Sequence, residues 1–226
     1  MMNRNELLGL FSSCLNAEYV NVGEGGSFSI EARGDVLYIF FEKSKGIVDW
    51  QSNLDFGAVL HSELGREARA VTPYKRMDEE WYCHGGFLRV WRSVLPYIEW
   101  ALLDLRFSEI ITVGYSHGAA LALLCHEYLW FNRRDLRGQI TGYGFGCPRV
   151  IYGRVPRERE RWADFYVIRN YDDIVTHLPP RSFGFRHVGH LVTVGGLGRY
   201  SRIDAHRKEN YLASLEEIKK NSDGMP

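Results

Sequence analysis

A serine lies between two glycines in the segment Gly114–Gly118 (GYSHG), and it is the side chain of this sequence best placed for nucleophilic chemistry. The β-branched run EIITVGY leads into it, and a run rich in small residues, AALALL, follows it. This order predicts a sharp strand-to-helix turn, where Ser116 has a strained backbone and the helix amides face a developing oxyanion. The alternative is a glycine-bounded turn with an incidental serine.

A serine hydroxyl needs a base and an orienting acid, which follow the nucleophile in the order acid, then histidine, in folds built around such a turn. The acid candidates are Asp164, Asp172 and Asp173. Asp172 and Asp173 directly follow a predicted strand, FYVIRNY, where ligand-facing loops emerge in open α/β sheets. Adjacent side chains rarely point into one site, so we expect only one of the two to reach the histidine.

Four histidines follow the serine and are candidates for the base: His177, His187, His190 and His206. His177 shares a short loop with Asp173, which leaves it little freedom to span acid and serine. His187 and His190 fall in a segment with strand-like alternation, which is typical of packed or edge histidines. His206 precedes the terminal helix in a polar turn, and this placement favours it as the base.

The elements around these residues alternate between strands and helices. Two β-rich runs flank Gly34-Asp35, a hairpin signal, and an apolar stripe at helical spacing begins after Gly86. Three later runs are predicted to be strands, QITGYGFGCP, ADFYVIRNY and FRHVGHLVTVGG, and amphipathic helices are predicted near both ends of the chain. The pattern predicts an α/β fold in one domain over residues 1–226: a mostly parallel central sheet, helices on both faces and an N-terminal antiparallel hairpin.

Composition excludes several classes of partner and cofactor. The formal net charge of the 226 residues is +0, so bulk charge favours neither nucleic acid nor an anionic membrane. The four cysteines are scattered without metal-ligand spacing, which predicts no metal site and a reducing compartment. No apolar run approaches the roughly 20 residues that span a bilayer. We therefore expect a cytoplasmic protein that needs no cofactor.

Six segments, in order, resemble the motifs of the class 3 lipases, the family of the fungal triacylglycerol lipases. The resemblance runs from Val36 to Leu215. FFEKSKGIVDWQSNLDF is similar to the family's FRG[ST]…DW…NL segment, CHGGFLRVWRSV to its H-x-GF helix start, and ITVGYSHGAALALL to its V-x-GHSLGGALA turn. GYGFGCPRV resembles TFG-x-PRVG, NYDDIVTHLPPRSFGFRH resembles DIVP-x-LPP with its following histidine, and DAHRKENYL resembles a late H…Y element.

The resemblance implies an α/β-hydrolase fold and a role for each matching residue. It assigns the nucleophile to Ser116, the acid to Asp173 and the base to His206, and it makes His187 a structural histidine. The oxyanion would be bound by the N–H of His117 and by Ser44. The family's arginine and glycine before that serine are Glu42 and Lys43 here, and its GHSLG is GYSHG.

The implied function is serine-dependent hydrolysis of lipid or small acyl esters through an acyl-enzyme. A phospholipase, thioesterase or transacylase with the same triad is an alternative, as is an inactive hydrolase-like binding protein. Residues 56–80 correspond to a lid or a surface loop, and the imidazole of His117 is expected at the acyl pocket, favouring polar or small substrates. The expected partners are an ester or lipid substrate and transiently a lipid surface, not nucleic acid.

Overall fold

Eleven strands and four α-helices make up the described part of the chain. The computed structural model describes residues 6–22, 25–42, 70–71, 82–103, 107–153 and 159–223. The helices are α1 Leu7–Asn16, α2 Gly85–Leu102, α3 His117–Asn132 and α4 Lys208–Asp223. The strands are β1 Val20–Val22, β2 Gly26–Arg33, β3 Val36–Phe41, β4 Ala70–Val71, β5 Tyr82–His84, β6 Glu109–Tyr115, β7 Ile140–Phe145, β8 Ile151–Tyr152, β9 Phe165–Asn170, β10 Phe185–Arg186 and β11 His190–Val194.

Seven strands form the main sheet in the order β1-β2-β3-β6-β7-β9-β11. The strands from β3 to β11 run parallel, while β1, β2 and β3 pair antiparallel. The β2–β3 hairpin closes between Arg33 and Val36, and Gly34 takes the φ of 61° that this tight turn requires. The predicted mostly parallel sheet with an N-terminal antiparallel hairpin is confirmed.

Helices cover both faces of this sheet because side chains along each strand alternate between the faces. Ile39 and Phe41 of β3 pack in one apolar cluster with α2 and α3, whereas Phe40 packs in a second cluster with α1 and α4. Burying one such side chain contributes about 2 kcal/mol. On one face, α3, which starts directly after Ser116, therefore packs against the sheet with α2 beside it.

A second, four-stranded antiparallel sheet of short strands lies in the order β10-β8-β5-β4. Its presence corrects the prediction that FRHVGHLVTVGG forms one strand, since Phe185 pairs with Tyr152 while His190 pairs with Tyr166 of the main sheet. The break falls at Gly189, which has a φ of 75° and whose missing Cβ would lie 2.2 Å from the carbonyl oxygen of Phe165. The backbone must turn there, so the alternating pattern spans two sheets.

Two further predictions concern regions near the site. The terminal helix begins at Lys208, and the preceding 3-10 turn Asp204–His206 places His206 just before it, as expected. Of residues 56–80, only 70–71 lie in the described part of the chain, and they form β4. The lid or loop assigned to that region stays a prediction. Among the described helices, none is long and apolar enough to cross a membrane.

Candidate active site

Ser116 occupies a sharp turn between the end of β6 and the start of α3. Its backbone has a φ of 58° and a ψ of −122°, and it is the one non-glycine residue with positive φ in the described ranges. Its N–H donates to the carbonyl oxygen of Phe145 at 2.8 Å, and the residue is fully buried. A strained serine at a strand-to-helix junction is the geometry that the GYSHG segment predicted.

The two glycines that flank this turn are required by close backbone packing. A Cβ at Gly114 would lie 2.1 Å from the carbonyl oxygen of Gly118, and a Cβ at Gly118 would lie 2.2 Å from the carbonyl oxygen of Phe41. Backbone atoms cannot move aside as a flexible side chain can. The turn therefore fits against the end of β3 only when both positions lack a side chain.

The variant Gly118→Ala is expected to lower the free energy of unfolding by about 1–3 kcal/mol, because the added methyl group forces the backbone of β3 and α3 apart. Urea unfolding followed by circular dichroism measures this change. Gly138→Ala is the matched control, since no atom lies within 4 Å of a Cβ at that position. Equal losses of stability in both variants would contradict the packing argument.

The structure brings Ser116, His206 and Asp173 into one chain of hydrogen bonds. His206 Nε2 lies 2.8 Å from Ser116 Oγ, and His206 Nδ1 lies 2.9 Å from Asp173 Oδ2. A carboxylate only accepts hydrogen bonds, so Nδ1 carries the ring proton and Nε2 is free to accept one from the serine. All three residues are buried. In this arrangement His206 Nε2 can take the proton of the Ser116 hydroxyl, which generates a serine alkoxide, and can later give the proton back.

The carboxylate of Asp173 is held by two further donors besides His206. The hydroxyl of Tyr211 donates to Oδ2 at 2.6 Å, and the N–H of Val175 donates to Oδ1 at 2.8 Å. The neighbouring Asp172 points elsewhere, because its Oδ2 accepts from the N–H of Gly198 at 2.9 Å. Only one of the two adjacent acids therefore reaches the histidine, as expected.

The other histidine candidates have different surroundings. His187 Nε2 lies 2.7 Å from the carbonyl oxygen of Thr176, and burial lowers the pKa of its imidazole to about 4. His190 is exposed on β11, with its ring stacked 5.4 Å from that of Tyr166. His177 lies in the 3-10 turn Val175–His177, where burial and then nearby arginines lower its pKa. His206 is the candidate that contacts Ser116.

Two tyrosines around the histidine were not identified from the sequence. The Tyr115 hydroxyl donates to the backbone carbonyl of His206, and the two rings stack with centroids 5.2 Å apart. The hydroxyl of Tyr211, the tyrosine of the late H…Y element, donates to Asp173 Oδ2. The signals were the tyrosine inside GYSHG and the late H…Y element. The position of these tyrosines in the sequence does not indicate which residue each hydroxyl contacts.

His117 is the first residue of α3 and directly follows the nucleophile Ser116 in the chain. Its ring is buried and meets the ring of Phe87 edge-on at 5.3 Å. Burial, and next the proximity of His84, lowers the pKa of His117 to about 4, so the imidazole is neutral at pH 7. Its Nδ1 has no hydrogen-bond partner within the described part of the molecule. Ser44, the other predicted oxyanion donor, lies outside the described residues.

The described residues contain no group of three or more His, Cys, Asp or Glu side chains that could hold a metal ion. The site combines the nucleophile turn, the histidine that contacts Ser116 and the carboxylate that contacts this histidine. This combination on a mostly parallel sheet is that of an α/β-hydrolase.

The chain belongs to the family Lipase (class 3), whose sequence model matches residues 38–183. Its curated relatives include a lipase from Rhizomucor miehei, 29% identical over 176 residues, which cover 70% of this chain and 42% of the relative. A secreted mono- and diacylglycerol lipase of Malassezia restricta is 26% identical over 199 residues, covering 78% of this chain and 60% of that protein. The chain thus spans about half the length of these relatives.

A phospholipase A1 from Oryza sativa subsp. indica is also similar, with 24% identity over 180 residues, covering 71% of this chain and 44% of the plant protein. Among solved structures, a Rhizomucor miehei triacylglyceride lipase superposes with a TM-score of 0.62 at 19% identity, covering 89% of each chain. This likeness shows the α/β-hydrolase fold.

Proposed function

We propose that this protein is a serine-dependent carboxylic-ester hydrolase that acts on lipid or small acyl esters. The single observation that carries the proposal is the hydrogen-bond chain from Ser116 Oγ through His206 to Asp173, at 2.8 Å and 2.9 Å. Membership of the class 3 lipase family supports the same chemistry. We assign Ser116 as nucleophile, His206 as general base and Asp173 as the acid that orients it.

The reaction proceeds through an acyl-enzyme. Ser116 Oγ attacks the ester carbonyl carbon while His206 Nε2 takes the hydroxyl proton, and the tetrahedral intermediate collapses as the same proton passes to the departing alcohol. Water then attacks the acyl-enzyme, again losing a proton to His206, and the acid leaves as Ser116 is restored. Asp173 stabilises the imidazolium in both halves.

The developing oxyanion would be bound at the N-terminus of α3. The N–H of His117 follows the nucleophile directly, in the position where the positive end of the helix dipole favours negative charge. We propose Ser44 as the second donor. Each such donor typically contributes about 3 kcal/mol to lowering the barrier.

Labelling by a fluorophosphonate tests the proposal directly. Such a probe reacts with an activated serine hydroxyl, so stoichiometric labelling of Ser116, located by peptide mass spectrometry, is the expected result. An unlabelled Ser116 in the folded protein would favour the alternative of an inactive, hydrolase-like binding protein.

A phospholipase is the second candidate, because a rice protein named phospholipase A1 is similar over 71% of this chain. The same three residues would hydrolyse an acyl ester of a phospholipid, and a thioesterase or transacylase would use them on other acyl donors. Rates on matched neutral glycerides, phospholipids and thioesters that carry one acyl chain length discriminate among these substrates.

We propose that His117 limits the acyl chain. The imidazole of His117 packs against Phe87, so it places a polar group beside the acyl chain at the position where the family's GHSLG turn has leucine. His117→Leu is expected to raise the ratio of kcat/KM for p-nitrophenyl octanoate over butyrate about 10-fold, since one to a few methylenes in an apolar pocket are worth about 1–3 kcal/mol. His190→Leu, at an exposed position, is the control. An unchanged ratio in His117→Leu would reject this role.

A cytoplasmic location and transient contact with a lipid surface also remain proposals. Cys14, Cys125 and Cys147 are free and buried, which supports a reducing compartment. Fractionation of cells that express the protein, with immunodetection, tests the location; recovery from the medium alone would reject it.

A further inference from the structure

Five arginines surround the loop that follows Asp173, and we call them the arginine rim: Arg149, Arg169, Arg181, Arg186 and Arg202. Arg149 Nη1 donates to the carbonyl oxygen of Pro179 at 3.0 Å, and Arg186 Nη1 donates to that of Arg181 at 2.9 Å. The carbonyl oxygen of Arg202 accepts from the N–H of Ile174 at 3.1 Å. Arg149 and Arg202 thus contact the segment 174–186, to which Arg181 and Arg186 belong, and Arg169 lies near enough for its charge to lower the pKa of His177 in that segment.

Within the described residues, none of the rim arginines forms an ion pair with a carboxylate. The arginine–carboxylate ion pairs among the described residues involve other arginines: Arg33, Arg133, Arg161, Arg199 and Arg207. The guanidinium groups of Arg149, Arg169 and Arg186 donate instead to neutral oxygens. Glu160 lines a surface cavity of about 580 Å³ together with Arg181 and Arg186, without an ion pair to either.

Arg149, the most buried member of the rim, lies close enough to the other arginines for their charges to act on it. Burial lowers the pKa of Arg149, and the charges of Arg181, Arg186 and Arg169 lower it further. Like charges held together favour the binding of an anion that relieves their repulsion.

The rim lies at the end of the molecule that carries the nucleophile. Ile174, which contacts Arg202, directly follows Asp173, and Phe185 of β10 lies 5.6 Å from the ring of His84. His84 in turn lies 4.5 Å from Phe87, the residue against which His117 packs. Two apolar side chains within two residues of a rim arginine in the sequence face solvent: Phe183 is 55% exposed and Ile203 is 36% exposed.

We propose that the arginine rim docks the protein on an anionic lipid surface, with Ser116 beside the contact. The proposal rests on the proposed ester hydrolysis and names where its substrate is met. The exposed guanidinium groups of Arg181 and Arg202 are complementary to phosphate-bearing headgroups, because their planar donors can bind two oxygens at once. Phe183 and Ile203 offer the apolar contact that a lipid surface accepts and a soluble anion does not.

Binding to vesicles tests the docking surface. The full-length Ser116→Ala protein, which leaves the lipid intact, is sedimented with phosphatidylcholine vesicles that contain either no anionic lipid or about 30% phosphatidylglycerol. We expect at least about 10-fold stronger binding to the anionic vesicles, and a loss of that gain as NaCl rises from about 0.1 M to 0.5 M.

Charge-removing variants identify the surface. Arg181→Gln/Arg202→Gln is expected to weaken binding to the anionic vesicles at least about 10-fold, since each basic residue near such a surface contributes roughly a fivefold gain. Arg134→Gln/Lys219→Gln removes the same charge at exposed positions elsewhere and serves as the control. Arg134 follows α3, whose 16 residues place it about 24 Å from Ser116 along the helix.

Three results would overturn the proposal: equal binding to both kinds of vesicle, equal weakening by both double variants, or binding of inorganic phosphate by the rim without binding to vesicles. The last would make the rim a site for a soluble anion. Hydrolysis of p-nitrophenyl butyrate by the wild-type protein is measured alongside. If that ester is hydrolysed while vesicle binding fails, only the docking surface is wrong.

Discussion

Ser116→Ala is expected to lower kcat for p-nitrophenyl butyrate by about 10⁶-fold and to abolish fluorophosphonate labelling. The size of the loss follows from the role assigned to the hydroxyl. Without Oγ no acyl-enzyme forms, and the His206–Asp173 pair can only assist a poorly placed water. Oxyanion donors remain, so a small residual acceleration over the uncatalysed rate is expected. Steady-state kinetics measure the loss of kcat and the residual rate, and burst-phase analysis tests whether an acyl-enzyme forms.

The fold should tolerate this change, which separates a chemical loss from a structural one. Alanine at position 116 keeps the turn, although the backbone φ of 58° is strained for any residue with a Cβ. Ser108→Ala is the matched control, because Ser108 is exposed and precedes the strand whose other end carries Ser116. Ser116→Ala activity within tenfold of wild type, from a folded protein, would contradict the assignment of the nucleophile.

Local spacing was sufficient to predict the nucleophile turn. The glycines, the β-branched strand and the small-residue helix all lie within about 20 residues of Ser116, so their geometry is fixed by neighbours in the chain. The sheet followed for a similar reason, since strands that alternate with helices leave few topologies. Strand alternation was a weaker guide at residues 185–194, where a turn at Gly189 separates two sheets.

Contacts between distant segments could not be predicted in this way. Tyr115 and His206 are 91 residues apart in the chain, and Tyr211 and Asp173 are 38 apart. Tyr115 ends a buried strand and Tyr211 lies on the buried side of the terminal helix, and a tyrosine is common at both kinds of position without any contact to an active site. The arginine rim was hidden for a related reason, because a net charge of +0 says nothing about how charges are distributed.

The choice between Asp172 and Asp173 shows what the structure adds to the sequence. Both follow β9, and the residues alone allowed either to orient the histidine. The resemblance favoured Asp173, and the structure gives the physical reason, since Asp173 is fully buried among donors while Asp172 accepts from Gly198. A buried carboxylate needs such donors because they replace the hydrogen bonds to water that burial removes.

Asp173→Asn is expected to lower kcat by about 10⁴-fold at pH 7 with little change in KM. The N–H of Val175 donates to Oδ1 and therefore holds the oxygen of the substituted amide toward itself. The amide nitrogen must then replace Oδ2, which faces His206 Nδ1 and the Tyr211 hydroxyl. As a donor it makes Nδ1 an acceptor, so Nε2 carries the proton and cannot accept one from Ser116.

Asp172→Asn is the matched control, because it removes the same charge one residue away while its side chain still accepts from Gly198. We expect it to keep kcat within about twofold. Tyr211→Phe leaves the tautomer correct but removes one neutral donor to the carboxylate and the acceptor of the Asn170 N–H, so a loss of about 10-fold is expected. Equal losses in Asp173→Asn and Asp172→Asn would show that negative charge near His206 matters, rather than the tautomer that Asp173 imposes.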